Sequence, residues 1–186
     1  MSKHGEISKD EVSELELAQQ VSSEAHEGQM DKTGNPYISH CKRVADRVEG
    51  AKEKTVAFLH DIVEKCDGWN LERLQQLGFS DSVIDAVNAL TRRKDETDDQ
   101  FVIRAVENKI ACPVKVADLQ DNLQQANAVG SDPVKYKRGL ELVAMIQADP
   151  FDRFDLKECP FLLSIITNPP GYTVVHLARR SGISCV

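Results

Sequence analysis

The sequence has no C-x-x-C pair: its five cysteines, Cys41, Cys66, Cys112, Cys159 and Cys185, are odd in number and widely scattered. That spacing excludes a disulfide framework and a zinc cage, and leaves reduced, mainly structural thiols. Neither a G-x-x-x-x-G-K-S/T phosphate loop, a G-x-G-x-x-G turn nor a G-x-S-x-G elbow occurs, so nucleotide kinase, Rossmann and serine-hydrolase chemistry are unsupported. Internal repeats and low-complexity segments are also missing. Positive charge is in deficit, 23 Lys and Arg against 30 Asp and Glu, for a net charge of -7. No general field then draws the chain to nucleic acid or to an anionic membrane, so neither is an expected partner. Any anionic substrate must be met by locally placed cations or by a metal. Residues 1–20 contain no apolar h-region and no spanning segment, and a cytoplasmic protein is expected.

What is present is ordinary globular material. The 186 residues, 41% hydrophobic and 28% charged, suit one domain with at most a small appendage. Ser8-Lys9-Asp10-Glu11 is a capping-box spelling and opens a first helix of roughly four turns, to Ala25-His26. Gly28 to Pro36 is turn chemistry. The apolar stripe Ile38, Cys41, Val44, Ala45 and Val48 then predicts a helix ending at Gly50 as its C′ residue. A third helix is predicted over 55–65, a short one over 71–77 stopped by Gly78, and another from Ser80 through Leu90. Thr97-Asp98-Asp99-Gln100 is a second capping box, Pro113 is expected to begin a helix carrying Asp118 and Asn122, and Asp132-Pro133 to cap one reaching about Gln147.

No convincing two-residue alternation appears before residue 150, which predicts an all-α body over 1–150. Residues 151–186 read as a C-terminal extension, packed on that body or partly disordered. There the runs flanking Asn168-Pro169-Pro170-Gly171 allow a small hairpin, with a C-terminal helix as the competing reading. His176 reads as a packing histidine.

Four of the five histidines fall in the first 60 residues, and His60-Asp61 can both reach one cation lying over their turn. Two ligands cannot hold a catalytic metal. The further candidates are His40, one helix earlier, and Asp118, a lone carboxylate among apolar residues that would be expensive to bury unless something positive satisfied it. Glu64, four residues after His60, shares its face on a continuous helix and could orient or deprotonate a water. Asn122, one turn after Asp118, either bridges the substrate to the metal site or caps helix contacts. For anion contacts Arg104 and Lys109, flanking the helix before the Asp118 segment, stand out among the basic residues.

The ordered set Pro36-Tyr37-Ile38-Ser39-His40, Phe58-Leu59-His60-Asp61-Ile62-Val63-Glu64 and Val114-Lys115-Val116-Ala117-Asp118 with Asn122 resembles the HD-domain metal-dependent phosphohydrolases. Together with Ala25-His26-Glu27-Gly28-Gln29 and Gly34-Asn35-Pro36 it is most similar to their alarmone-hydrolase branch, the RelA/SpoT-type hydrolase domain and the stand-alone small alarmone hydrolases. The similarity runs from about Ala18 to Met145. It implies an HD-domain helical bundle and a manganese-like ion on His40, His60, Asp61 and Asp118, with Asn122 functional. Mixed imidazole and carboxylate ligands suit Mn²⁺ or another divalent transition metal. By the same resemblance Lys32 keeps a substrate-binding position, and Tyr136 and Arg138 match the aromatic and basic end of the substrate pocket.

Two positions depart from that pattern. The family usually carries Glu-Asp where this chain has Glu64-Lys65, and Arg-Lys where it has Asp31-Lys32. The expected partner is a small-molecule nucleotide, and the expected reaction is removal of the 3′-diphosphate from ppGpp-like alarmones by metal-activated water. The alternatives keep the fold and change the substrate, to an adenine alarmone, the 2′-phosphate of NADPH or a nucleoside monophosphate. A further alternative is a degenerate domain that binds nucleotide without turnover.

Overall fold

The computed structural model describes the backbone of residues 9–148 and the side chains of residues 14–148. Among these residues the regular structure is helical throughout: α1 (Lys9–Ala25), α2 (Ile38–Ala45), α3 (Ala51–Leu59), α4 (Ile62–Lys65), α5 (Leu71–Gln76), α6 (Asp81–Leu90), α7 (Asp98–Glu107), α8 (Ala111–Val129) and α9 (Val134–Ala148). The all-α reading of the body holds. A single β-bridge, Met30 to Pro36, pins the loop between α1 and α2 among the described residues. The Ser8 cap, the hairpin expected after residue 150, His176, Cys159 and Cys185 lie outside the described residues.

Helix α3 is the axis of the core, with Thr55, Val56, Ala57, Phe58 and Leu59 all buried. It packs against α1, α2, α6 and α8, bringing Val21, Val44, Val83, Val87 and Val114 around Leu59 and Val56 in one cluster. Each such aliphatic side chain taken out of water is worth about 1.5–3 kcal/mol. That burial, more than helix propensity, holds the short α2 and α3 in place. A smaller cluster of Val102, Leu119 and Val143 seats α9. Gly139 permits the close approach, since a Cβ there would lie 2.9 Å from Leu119 Cδ2.

Three helix boundaries differ from the sequence expectation. Helix α2 stops at Ala45, and Gly50, at φ −73° and ψ 149°, is the extended N-cap of α3 and not a left-handed C′ residue. Val48 is nonetheless buried, so its apolar spacing is satisfied by a packed turn. The helix expected over 55–65 begins at Ala51 and breaks at His60–Asp61, where Asp61 takes φ −104° and ψ −6°. At that break His60 Nδ1 lies 2.7 Å from the Ala57 carbonyl. An unbroken helix would offer this oxygen to the Asp61 amide, so the imidazole satisfies an orphan of the last turn. Helix α8 begins two residues before Pro113, capped by Asn108 Oδ1, which accepts from the Ile110 and Ala111 amides at 2.9 and 3.0 Å. The Thr97 capping box is formed, with both of its reciprocal bonds to Gln100.

Candidate metal centre

The break at His60–Asp61 and the crossing of α2, α3 and α8 create the site. His40 projects from α2, His60 and Asp61 from the break, and Asp118 from the middle of α8. His60 Nε2 lies 3.2 Å from Asp61 Oδ2 and 3.7 Å from Asp118 Oδ1. His40 Nε2 lies 3.6 and 3.5 Å from the same two oxygens. Two imidazole nitrogens and two carboxylate oxygens thus face one point, and His40, His60 and Asp61 form a cluster of metal-ligand type.

The opposite ring nitrogens decide which atoms are on offer. His40 Nδ1 is 2.8 Å from Asp121 Oδ2, and His60 Nδ1 is 2.7 Å from the Ala57 carbonyl. A carbonyl and a carboxylate only accept, so each Nδ1 carries a hydrogen, and each Nε2 is the atom turned inward, which offers a lone pair once its own proton is lost. Both Nε2 atoms are buried and have no hydrogen-bond partner among the described residues. Leaving such atoms unmatched is costly. His40, His60 and Asp61 are donors of the kind that suits a divalent cation, and Asp118 faces both imidazoles from α8.

The electrostatics carry the same message. Burial opposes protonation of both histidines, yet the carboxylates of Asp118, Asp121 and Asp61 push His40 up to about 10, and Asp61 and Asp118 push His60 up to about 9. Burial likewise works against the charged forms of Asp61 and Asp118. It is outweighed by His60, His40 and Lys65 for Asp61, and by Lys115, His40 and His60 for Asp118, and both carboxyls are held well below the usual range. The imidazoles and carboxylates thus hold one another in their charged forms.

Asp121 supports the site from behind His40, and its place was not read from the sequence. Asp121, 1% exposed, takes His40 Nδ1 on one oxygen together with Gln125 Nε2 at 2.7 Å, and Arg43 Nε and Arg47 on the other at 2.8 and 3.1 Å. Arg43 also reaches Asp31 Oδ2 at 2.9 Å. The available signal was spacing: Asp121 follows Asp118 by three and precedes Gln125 by four, a single inward face of α8. Tyr37 was likewise legible three residues before His40. Its hydroxyl donates to Asp61 Oδ2.

No family model matches the chain. Over 139 residues it is 26% identical to the guanosine-3′,5′-bis(diphosphate) 3′-pyrophosphohydrolase of Vibrio cholerae, an alignment covering 68% of this chain and 20% of that protein. Over 141 residues it is 26% identical to the bifunctional (p)ppGpp synthase/hydrolase SpoT of Escherichia coli K12, with the same coverage, 68% and 20%. The chain spans about a fifth of the length of these curated relatives. Among solved structures it matches a metazoan ortholog of SpoT, described as hydrolysing ppGpp, with a TM-score of 0.60 at 21% identity over 78% of this chain and 91% of that one. The chain resembles the RelA/SpoT-type hydrolases and has their HD-domain fold.

Within that fold the residues expected from the sequence separate into two groups. Asn122, Lys32 and Tyr136 gather at one edge of the four-atom cluster. Asn122 Nδ2 donates to Asp118 Oδ1 and, at 3.0 Å, to the Asp118 carbonyl, while its own oxygen accepts from Lys32 Nζ. The Lys32 ammonium stands 4.9 Å from the centre of the Tyr136 ring. Asp31 turns the other way, buried, accepting from the Thr33 and Asn35 amides and from Arg43. It shapes the loop that presents Lys32.

The others lie elsewhere. Glu64 does not share a helix face with His60, because the break removes the continuity on which that spacing rested. Its exposed carboxylate accepts from the Arg92 amide. Lys65, four residues after Asp61, is the side chain that returns to the cluster. Arg138 is engaged with Asp99, its Nη2 2.5 Å from Oδ2, and ties α9 to α7. Lys109 is exposed on the turn between α7 and α8.

Arg104 is a loop clamp, contrary to the phosphate contact read from its position. Its Nε and Nη2 meet Glu96 at 2.6 and 2.7 Å, and its other bonds go to the carbonyls of Ala89 and Thr91 at 3.0 and 2.9 Å. With a fifth bond to the Asn88 carbonyl at 3.3 Å, all five of its N–H donors are spent on the end of α6 and the following loop. Arg104→Ala is expected to cost on the order of 2 kcal/mol of stability by urea titration, since Glu96 and these carbonyls lose a charged donor. Mn²⁺ affinity should be unchanged in the same preparation; a stable variant with weakened metal binding would reverse this assignment.

Proposed function

We propose that the protein is a metal-dependent phosphohydrolase that removes the 3′-diphosphate from ppGpp-like alarmones, with a divalent cation, Mn²⁺ foremost, held by His40, His60, Asp61 and Asp118. The observation that carries this reading is the pair of buried, partnerless Nε2 atoms facing two carboxylate oxygens. The names of the sequence relatives and the fold support the substrate class. A cation in this position supplies positive charge that acidifies water and offsets phosphate charge.

The chain's own residues do the rest. Asp121 and the Ala57 carbonyl fix both imidazoles in one tautomer, so that no reorientation is needed when ligands arrive. Lys32 and Asn122 offer donors to substrate phosphate at the edge of the cluster, and the Tyr136 ring offers an apolar face beside them. Glu64 stands outside the cluster with its carboxylate on the Arg92 amide, so its proposed part is to take the proton of the attacking water through an intervening water. The water oxygen bonds to the phosphorus attached to the 3′ oxygen, the bond from that phosphorus to the 3′ oxygen breaks, and pyrophosphate separates as the 3′ oxygen takes a proton from solvent to become the 3′-hydroxyl. With a nucleotide substrate, the cytoplasm is the location proposed for this activity.

Incubation of the purified protein with ppGpp and Mn²⁺ tests the reading. The expected products are pyrophosphate and the 5′-diphosphate nucleoside, with activity abolished by chelation. Orthophosphate released from NADPH or a nucleoside monophosphate, with ppGpp untouched, would transfer the chemistry to one of the alternative substrates. One observation favours a second reading, in which nucleotide is bound without turnover: an ammonium already rests on the Asp61 carboxylate. Saturable ppGpp binding with no product under Mn²⁺ would establish that reading in place of hydrolysis.

A further inference from the structure

The two carboxylates of the cluster share their oxygens differently. Asp118 keeps its ammonium off the histidine-facing oxygen: Oδ1 faces the histidines and accepts from Asn122, and Oδ2 is 3.2 Å from Lys115 Nζ, a buried ammonium backed by the Phe101 ring at 4.0 Å. Asp61 does not. Its Oδ2 is the atom 3.2 Å from His60 Nε2 and 3.6 Å from His40 Nε2, and the same oxygen is 2.6 Å from Lys65 Nζ. Tyr37 adds its hydroxyl to that oxygen and accepts from Lys65 in turn.

Lys65 is also placed differently from Lys115. Its side chain is 41% exposed against 8% for Lys115. Its backbone is held, because Gln29 Nε2 donates to the Lys65 carbonyl at 2.9 Å and the Lys65 amide bonds the Asp61 carbonyl at 2.9 Å. A fixed backbone with an exposed four-carbon stem lets the ammonium leave Asp61 for the rim of the cluster without disturbing α4. A metal cation and an ammonium on one carboxylate oxygen repel each other, and only the ammonium has somewhere to go.

We propose that Lys65 is a tethered cation that contests Asp61 Oδ2 with the metal and, once displaced from it, becomes a ligand for phosphate at the mouth of the site. Metal and phosphate then bind with positive coupling through one side chain. This inference rests on the metal-site reading above and adds an order of events, metal first and anion second.

The test is direct Mn²⁺ titration by calorimetry on the wild type, Lys65→Met and Lys65→Arg, followed by titration of inorganic phosphate with and without saturating Mn²⁺. Removing the charge should tighten the Mn²⁺ Kd at least about tenfold in Lys65→Met, while Lys65→Arg stays near wild type. With Mn²⁺ present, wild type should bind phosphate about tenfold more tightly than Lys65→Met; without it, the two should be alike. Equal Mn²⁺ Kd values in wild type and Lys65→Met would overturn the role of Lys65 and leave the metal site standing. Failure of both proteins to bind Mn²⁺ would remove the metal site and this inference together.

Discussion

Asp118→Ala should yield a folded protein that retains no divalent cation after dialysis and turns over ppGpp at least about a thousandfold more slowly than wild type. Asp118 serves different partners with its two oxygens. Its Oδ1 faces His40 Nε2 at 3.5 Å and His60 Nε2 at 3.7 Å, and its Oδ2 accepts from the buried Lys115. Deleting the carboxylate takes one of four donors from the cation and strands the Lys115 ammonium at the same time. Helical circular dichroism should nonetheless survive, because α8 is anchored by Val114, Ala117 and Leu119 and by the Asn108 cap. Asp118→Asn separates the two effects, since it keeps the shape and an acceptor for Lys115 while weakening the metal. Stoichiometric metal retained in both variants, measured by elemental analysis, would sink the four-residue assignment.

How much of this was legible in the chain depends on whether a residue's role was local or shared. His40, His60, Asp61 and Asp118 could be read as candidate ligands from their residue types, and their grouping from the resemblance to the HD-domain phosphohydrolases. The helix start at the Thr97 capping box was equally plain, whereas the Asn70 cap of α5 was not read. The break at His60–Asp61 was hidden. It arises from an imidazole bonding the last turn's carbonyl, and nothing in the apolar pattern Val56, Leu59, Val63 signals it. That one local event moved Glu64 out of register with His60 and brought Lys65 onto Asp61. Arg104 shows the other limit. Its position before the Asp118 segment suggested an anion contact, but a guanidinium goes where a carboxylate and free carbonyls converge, and Glu96 with the end of α6 supplied both. Asp121 was missed because a carboxylate one turn beyond a candidate ligand reads as solvated until His40 and two arginines are seen to meet on it.

Mn²⁺ affinity should rise steeply with pH between about 6 and 8.5 and level off above the range where the two histidines lose their protons. Without metal, His40 is raised to about 10 and His60 to about 9, because the facing carboxylates outweigh burial. Below those values a cation must displace protons from Nε2 to bind, so up to two protons leave per metal and affinity gains as much as about a hundredfold per pH unit. The metal-free protein follows the opposite sign. A histidine whose pKa is raised on folding stabilises the native state fully below its unfolded value of about 6.5, and that contribution fades as pH rises through its folded value. Thermal melts without Mn²⁺ should therefore lose the histidine contribution from near pH 6.5 upwards, while the upward shift in Tm produced by saturating Mn²⁺ grows over the same interval. Calorimetry at pH 7 in two buffers of different ionisation enthalpy counts the protons directly. Between one and two released per Mn²⁺ is the expected result; none released, with a pH-independent Kd, would mean that the cation does not bind at His40 and His60.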